Sequence, residues 1–160
     1  LRERGWKIPD SAVCQGLAAA RWPGRFELLS RAPWFILDGG HNPQCVQAAA
    51  DALRLYFPNR SVTFLLGVLA DKDYAAMAGL MAPLAAGFVT VTPDSPRALP
   101  GADLAALLTE RYGLPAQPCA SVEEGVDRAL ALAGEEGVAC ALGSLYMAGK
   151  IRAHFGLVDI

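Results

Sequence analysis

The chain has 160 residues, enough for one domain with a full hydrophobic core, and it is apolar: 53 % of its residues are hydrophobic and 19 % charged. Fourteen lysines and arginines nearly balance sixteen aspartates and glutamates, for a formal net charge of -2, and no basic tract is present, so nucleic acid is excluded as an expected partner. No run approaches the ~18 uncharged apolar residues that a membrane-crossing helix requires.

In chain order, Pro9-Asp10-Ser11 predicts a short helix running to about Ala20, because proline presets φ at a helix start. Trp22-Pro23-Gly24-Arg25 breaks it. Phe26–Ser30 and Trp34–Asp38 read as strands joined by the turn Arg31-Ala32-Pro33, too short for anything but an antiparallel pair. Asn42-Pro43 starts a helix that carries Val46, Ala49, Ala50, Leu53 and Phe57 at three- and four-residue spacing. Val62–Leu69 is a continuous apolar strand, Asp73–Leu84 a helix, Gly87–Thr92 a strand, and Ala102–Tyr112 a helix closed by Gly113. Ala116–Ala120 is a weaker strand. Ser121 and Glu124 have the spacing of a capping box for a helix to about Ala133. Gly137–Gly143 is the last strand and Leu145–Phe155 the last helix, leaving residues 93–101 as the one long loop.

Alternation of this kind predicts an α/β fold: an open, mostly parallel Rossmann-like sheet of about six strands, with one antiparallel strand near the N-terminus and helices on both faces. Residues 1–160 read as a single domain without repeats. The four cysteines, Cys14, Cys45, Cys119 and Cys140, show no C-x-x-C spacing. Three fall in apolar helix or strand segments, which predicts buried free thiols in a reducing cytoplasm. The chain opens on Leu1-Arg2-Glu3-Arg4, with neither an initiator methionine nor a signal-peptide core, as expected of a segment processed or cut from something longer.

Ligands of open parallel sheets bind beyond the carboxyl ends of the strands, and polar residues that packing does not require collect there. In Leu37-Asp38-Gly39-Gly40-His41-Asn42-Pro43, a carboxylate ends a strand, two glycines allow close backbone approach, and a helix N-terminus offers N–H groups to an anion. Asp38 suits ribose hydroxyls or a cationic partner, and His41 suits phosphate oxygens. The structural alternative is a plain turn in which Asn42 caps the helix. Arg25, between a Pro-Gly turn and a strand, suits a phosphate met in fixed geometry, or is a surface arginine paired with an acid. Ser144 follows the last strand as a helix cap placed to touch a small acid, and Lys72 stands between Asp71 and Asp73 at the same edge. His154 reads as a surface or packing residue. The sequence contains no G-x-x-x-x-G-K-[ST] loop, no G-x-G-x-x-G, no G-x-S-x-G elbow and no metal-ligand spacing, so most of any phosphate cradle must come from elsewhere.

W-P-G-R-F-E (22–27), L-D-G-G-H-N-P (37–43), D-K-D (71–73) and G-S-L-Y (143–146), in this order, resemble the C-terminal domain of folylpolyglutamate synthase. That enzyme is often bifunctional with dihydrofolate synthase in bacteria and belongs to the Mur ligase group of ATP-dependent amide-forming enzymes. The one departure is Gly40, where the family pattern has alanine. The resemblance implies a monomeric cytoplasmic ligase in which ATP phosphorylates a carboxylate of folate or dihydropteroate and L-glutamate displaces the phosphate. Its phosphate loop and Mg²⁺ ligands are expected in a covalently linked N-terminal ATPase domain that this chain lacks. It further implies that Arg25 and Asp38 contact ATP, that His41 lies near the nucleotide or the transferring phosphate, and that Ser144 and Lys72 help to bind glutamate. A cell-wall Mur ligase, and a non-catalytic nucleotide or small-ligand module on the same sheet, are the alternatives.

Overall fold

A computed structural model of the chain describes residues 1–157. Six strands form one sheet: β1 (Glu27–Arg31), β2 (Trp34–Leu37), β3 (Val62–Leu66), β4 (Ala85–Thr90), β5 (Ala116–Pro118) and β6 (Val138–Leu142), in the order β1-β2-β6-β3-β4-β5. Only β1 runs antiparallel, paired through the short turn onto β2; the other neighbours are parallel. The helices are α1 (Asp10–Ala19), α2 (Pro43–Tyr56), α3 (Tyr74–Met81), α4 (Gly101–Tyr112), α5 (Val122–Ala133) and α6 (Ala148–His154). The α/β class and the lone antiparallel strand agree with the sequence reading.

The central strands β3 and β6 are buried along their whole length, so their side chains feed two cores by simple alternation. Ile36, Phe64, Leu66, Phe88, Cys140 and Leu142 meet α2, α3 and α4 on one face. Phe35, Leu37, Leu65, Val89, Ala139 and Ala141 meet α5 and α6 on the other. Phe64 and Phe88 stack across β3 and β4, with ring centroids 5.8 Å apart. The expected stripe of α2 faces the first core through Val46, Ala49 and Leu53. Ser121 caps α5 by accepting from the Glu124 N–H, but Glu124 reaches back to the Ala120 N–H, one residue earlier than a standard capping box.

Two expectations are corrected. The strand predicted for 62–69 ends at Leu66, because beyond Gly67 the backbone leaves the sheet for the 93–101 loop: Leu99 N–H bonds Val68 O, Ala70 N–H bonds Arg97 O, and Leu69 bridges Ala98. Of the cysteines only Cys140 is buried; Cys119 is half-buried, and Cys14 and Cys45 are exposed free thiols. Cys45 precedes the buried stripe by one residue, and Cys14 rides on α1. That helix forms as predicted but buries none of its residues, and no residue before Gly24 is buried, so neither core extends into residues 1–23. Among the described residues no helix is long and apolar enough to cross a membrane.

Two measurements probe this arrangement. Phe64→Ala is expected to cost about 3–5 kcal/mol in urea unfolding, while Leu17→Ser on α1 changes stability by no more than about 0.5 kcal/mol. Burial, assisted by the nearby Asp38 charge, pushes the Cys140 thiol up. The folded chain therefore keeps a proton that the unfolded chain releases in the ordinary thiol range. Stability from this group is complete below that range and falls above it by up to about 1.4 kcal/mol per pH unit. A Cys140→Ala variant should show a flatter profile of stability between pH 8 and 10 (roughly the interval that brackets thiol ionisation).

Candidate functional site

Because β2, β6, β3 and β4 are parallel, the loops after them share one edge of the sheet. The Pro23-Gly24-Arg25-Phe26 turn leads into β1, and since β1 is antiparallel to β2 it comes to that same edge. Asp38 joins the two segments. Its Oδ2 accepts the Phe26 N–H at 2.8 Å and its Oδ1 accepts the Gly40 N–H at 2.7 Å. Gly39 N–H donates to Gly24 O at 2.8 Å, closing the loops against each other.

The turn is bent for this purpose. Gly24 has φ +68°, and Phe26, a residue with a side chain, has φ +42°. Left-handed backbone at a phenylalanine costs on the order of 1–2 kcal/mol, which the hydrogen bond from its N–H to a carboxylate offsets. Between them Arg25 is exposed, its guanidinium resting 3.3 Å from Gly24 O. A Cβ at Gly39 would push aside the tips of the exposed Arg25 and Leu145 side chains, which pack closely over this loop. A Cβ at Gly40 would come within 2.8 Å of Asp38 Oδ1, so a methyl here would press on the carboxylate.

Arg25, Asp38 and His41 line one cleft of about 290 Å³, walled on the far side by Cys45, Ala48 and Ala52 of α2. A larger aromatic groove of about 710 Å³ shares Phe26 with it but runs away from the glycine loop, past Trp34, Tyr56 and Phe57. His41 Nδ1 is 3.0 Å from Gly39 O; since a carbonyl only accepts, Nδ1 carries the proton and Nε2 is left for a ligand. Asn42 does cap α2, accepting from the Cys45 N–H at 2.9 Å, so the structural reading of Asn42 holds alongside the cleft.

Ser144 is buried and accepts from the Tyr146 N–H at 3.2 Å as an N-cap, with its hydroxyl proton still able to donate. It joins the site through its neighbour: Gly143 N–H donates to Gly40 O at 2.9 Å. Lys72 lies on the same edge but does not line the cleft. The acids beside it are engaged elsewhere, Asp71 with Arg97 at 3.0 Å and Asp73 as the cap of α3. Among the described residues Lys72 has no ion pair. His154 packs as expected, edge-on to Phe155 and 3.1 Å from Asp127.

Several contributors were not visible in the sequence. Leu145 begins the 3₁₀ turn Leu145–Met147 that leads into α6, as expected of a helix start, but its cover over Gly39 and Gly24 was not foreseen. Glu27 accepts the Gly24 N–H through Oε2 and pairs through Oε1 with Arg152 of α6, 125 residues away. Glu27 stood inside the W-P-G-R-F-E motif, but nothing in the pattern of α6 marked Arg152 as buried.

Residues 24–145 match the family model for the Mur ligase, glutamate ligase domain. The folylpolyglutamate synthase of Lacticaseibacillus casei is 35 % identical over 154 residues, covering 94 % of this chain and 34 % of that protein. Crystal structures of Mycobacterium tuberculosis folylpolyglutamate synthase with ADP and AMPPCP superpose with a TM-score of 0.86 at 31 % identity, covering 96 % of this chain and 36 % of that one. A bifunctional folylpolyglutamate synthase/dihydrofolate synthase with Mn, AMPPNP and L-glutamate bound superposes with a TM-score of 0.80 at 27 % identity, over 94 % of this chain and 36 % of that one. The chain thus spans about a third of the length of these proteins.

Replacing Asp38 by asparagine puts an NH₂ against one of two backbone N–H groups, whichever way the amide turns. Asp38→Asn is therefore expected to lower unfolding stability by about 1–3 kcal/mol. Unchanged stability in urea titration would show that the carboxylate does not hold the two loops together.

Proposed function

The chain belongs to the family of Mur ligase glutamate ligase domains, and from that premise we propose that it is the C-terminal domain of a cytoplasmic, monomeric folylpolyglutamate or dihydrofolate synthase. In this reading residues 1–160 close over ATP and L-glutamate, while a covalently linked N-terminal domain holds the phosphate loop. The whole enzyme transfers the γ-phosphoryl group of ATP to a carboxylate of folate or dihydropteroate, releasing ADP. The glutamate amine then attacks the acyl phosphate, an amide forms, and inorganic phosphate leaves.

The observation that carries the proposal is the convergence of Arg25, Asp38 and His41 on one cleft at the carboxyl edge of the sheet. Phosphoryl transfer calls for positive charge and aligned donors about a loose transition state, with little covalent work for the protein. Arg25 supplies a delocalised cation on a turn held by two carboxylates, and His41 Nε2 donates to a phosphate oxygen when its ring is charged. Asp38 spends one lone pair of each oxygen on backbone N–H groups and keeps the others for a ribose hydroxyl. Ser144 and Lys72 serve the incoming glutamate. Closing the domain excludes water, which would otherwise hydrolyse the acyl phosphate before the amine arrives.

A divalent cation belongs to this chemistry, but these residues do not fit one: among the described residues no group of three His, Cys, Asp or Glu side chains is arranged to hold a metal ion. Mg²⁺ ligands are assigned to the N-terminal domain.

In the full-length protein, Arg25→Ala is expected to lower turnover, or to raise the ATP requirement, by about a hundredfold. Circular dichroism should show an intact fold, because the Arg25 side chain is exposed. Ordinary ATP kinetics in an ADP-release assay would remove Arg25 from the nucleotide site.

A further inference from the structure

Arg25 is held by its neighbours in the chain more than by contacts of its own. The residue before it and the residue after it are both left-handed, and each presents its N–H to a carboxylate: Gly24 to Glu27 Oε2 at 2.8 Å and Phe26 to Asp38 Oδ2 at 2.8 Å. Among the described residues the Arg25 guanidinium makes one hydrogen bond, at 3.3 Å to Gly24 O, and otherwise rests against Gly39. The direction in which it leaves the surface is therefore set by the backbone of 24–26. One of the two carboxylates that fix that backbone, Glu27, is itself fixed by the Arg152 guanidinium of α6. The pair is largely withdrawn from water, with side chains 22 % and 11 % exposed for Glu27 and Arg152. A glutamate without this partner would rotate to solvent and release the Gly24 N–H.

We infer that Glu27 and Arg152 are positioning residues for Arg25, a relay that runs from α6 through Glu27 to the Gly24 N–H and sets the guanidinium over the Gly39 loop. The inference rests on Arg25 contacting the nucleotide. A packing role alone would have the pair only anchor α6 to the edge of β1. The two roles differ in what they do to a bound triphosphate, since withdrawal of the clamp lets Arg25 stray although its own charge is untouched.

The test uses the full-length protein with AMPPCP as the probe. Glu27→Gln and Arg152→Lys, the second of which keeps the charge and guards against a variant that fails to fold, are each expected to weaken AMPPCP binding about tenfold and to raise the KM for ATP in step. Either change placed on the Arg25→Ala background should cause no further loss, because the group it positions is gone. If both variants bind AMPPCP normally, or if their losses add in full to that of Arg25→Ala, the relay is overturned while the assignment of Arg25 to the nucleotide stands. Should Arg25→Ala itself bind AMPPCP normally, that assignment falls and the relay with it.

Discussion

The carboxylate of Asp38 accepts one backbone N–H from the turn that carries Arg25 and another from the loop that carries His41, through its two separate oxygens. Each segment has its own supports, Glu27 accepting from Gly24 in one and Gly143 donating to Gly40 in the other, and the carboxylate bridges the two. One contains a phenylalanine in a left-handed conformation, the other a pair of glycines pressed under neighbouring side chains. Charge-assisted hydrogen bonds of this kind are worth roughly twice neutral ones, enough to offset the local backbone cost. The bond between Gly39 N–H and Gly24 O then makes the two loops one rigid body. Because Asp38 follows the last residue of β2, that body is anchored to the sheet and does not drift with the surface.

The same edge shows how a cleft can be built where the sheet offers only backbone. Gly143, with φ +108°, turns the chain away at the end of β6 and donates its N–H to Gly40 O. A side chain there would collide with Gly67 O at the end of β3. Three strand ends thus approach within hydrogen-bonding distance, and the side chains that follow them (Asp38, His41 and Ser144) inherit their positions from strands buried on both faces. Precision at the site derives from the hydrophobic core. Shortening a core side chain would loosen the site even though no site residue was touched.

Much of this was legible in the residues because the physics was local. Period-three and period-four spacing located α2, the Ser121/Glu124 spacing located α5, the uninterrupted apolar runs located β3 and β6, and Asn42 and Ser121 cap where their chemistry said they would. Strand alternation put Asp38 at the carboxyl edge, and the short 31–33 turn fixed the antiparallel pair that brings Arg25 to it. Part of what remained hidden depends on contacts remote in sequence, and part on helix phase and burial. The end of β3 at Leu66 is decided by a loop some thirty residues further on, and the exposure of Cys45 by one position of helical phase. The exposure of Cys14 reflects a helix that forms on propensity yet buries nothing. Arg152 is a charge that finds its partner 125 residues away, and no pattern within α6 announces it.

The contrast between a rigid backbone and an exposed guanidinium bears on how such a domain could work with a phosphate loop that is not its own. A site divided between two bodies must lose translational and rotational freedom each time it closes. A loose arginine would add the entropy of its own ordering, and a pre-formed one would sacrifice affinity for water in the open state. Here the division is uneven: residues 24–26 are locked by two carboxylates, while the long side chain of Arg25 remains solvated until something covers it. Closure then has only side-chain rotamers to settle, of the order of 2 kcal/mol for an arginine, and the backbone geometry is already correct. In the proposed enzyme the bends at Gly24 and Phe26 would thus be a cost met at folding and not at every turnover. This is the arrangement a mobile domain needs if its cation is to arrive at a triphosphate in one orientation.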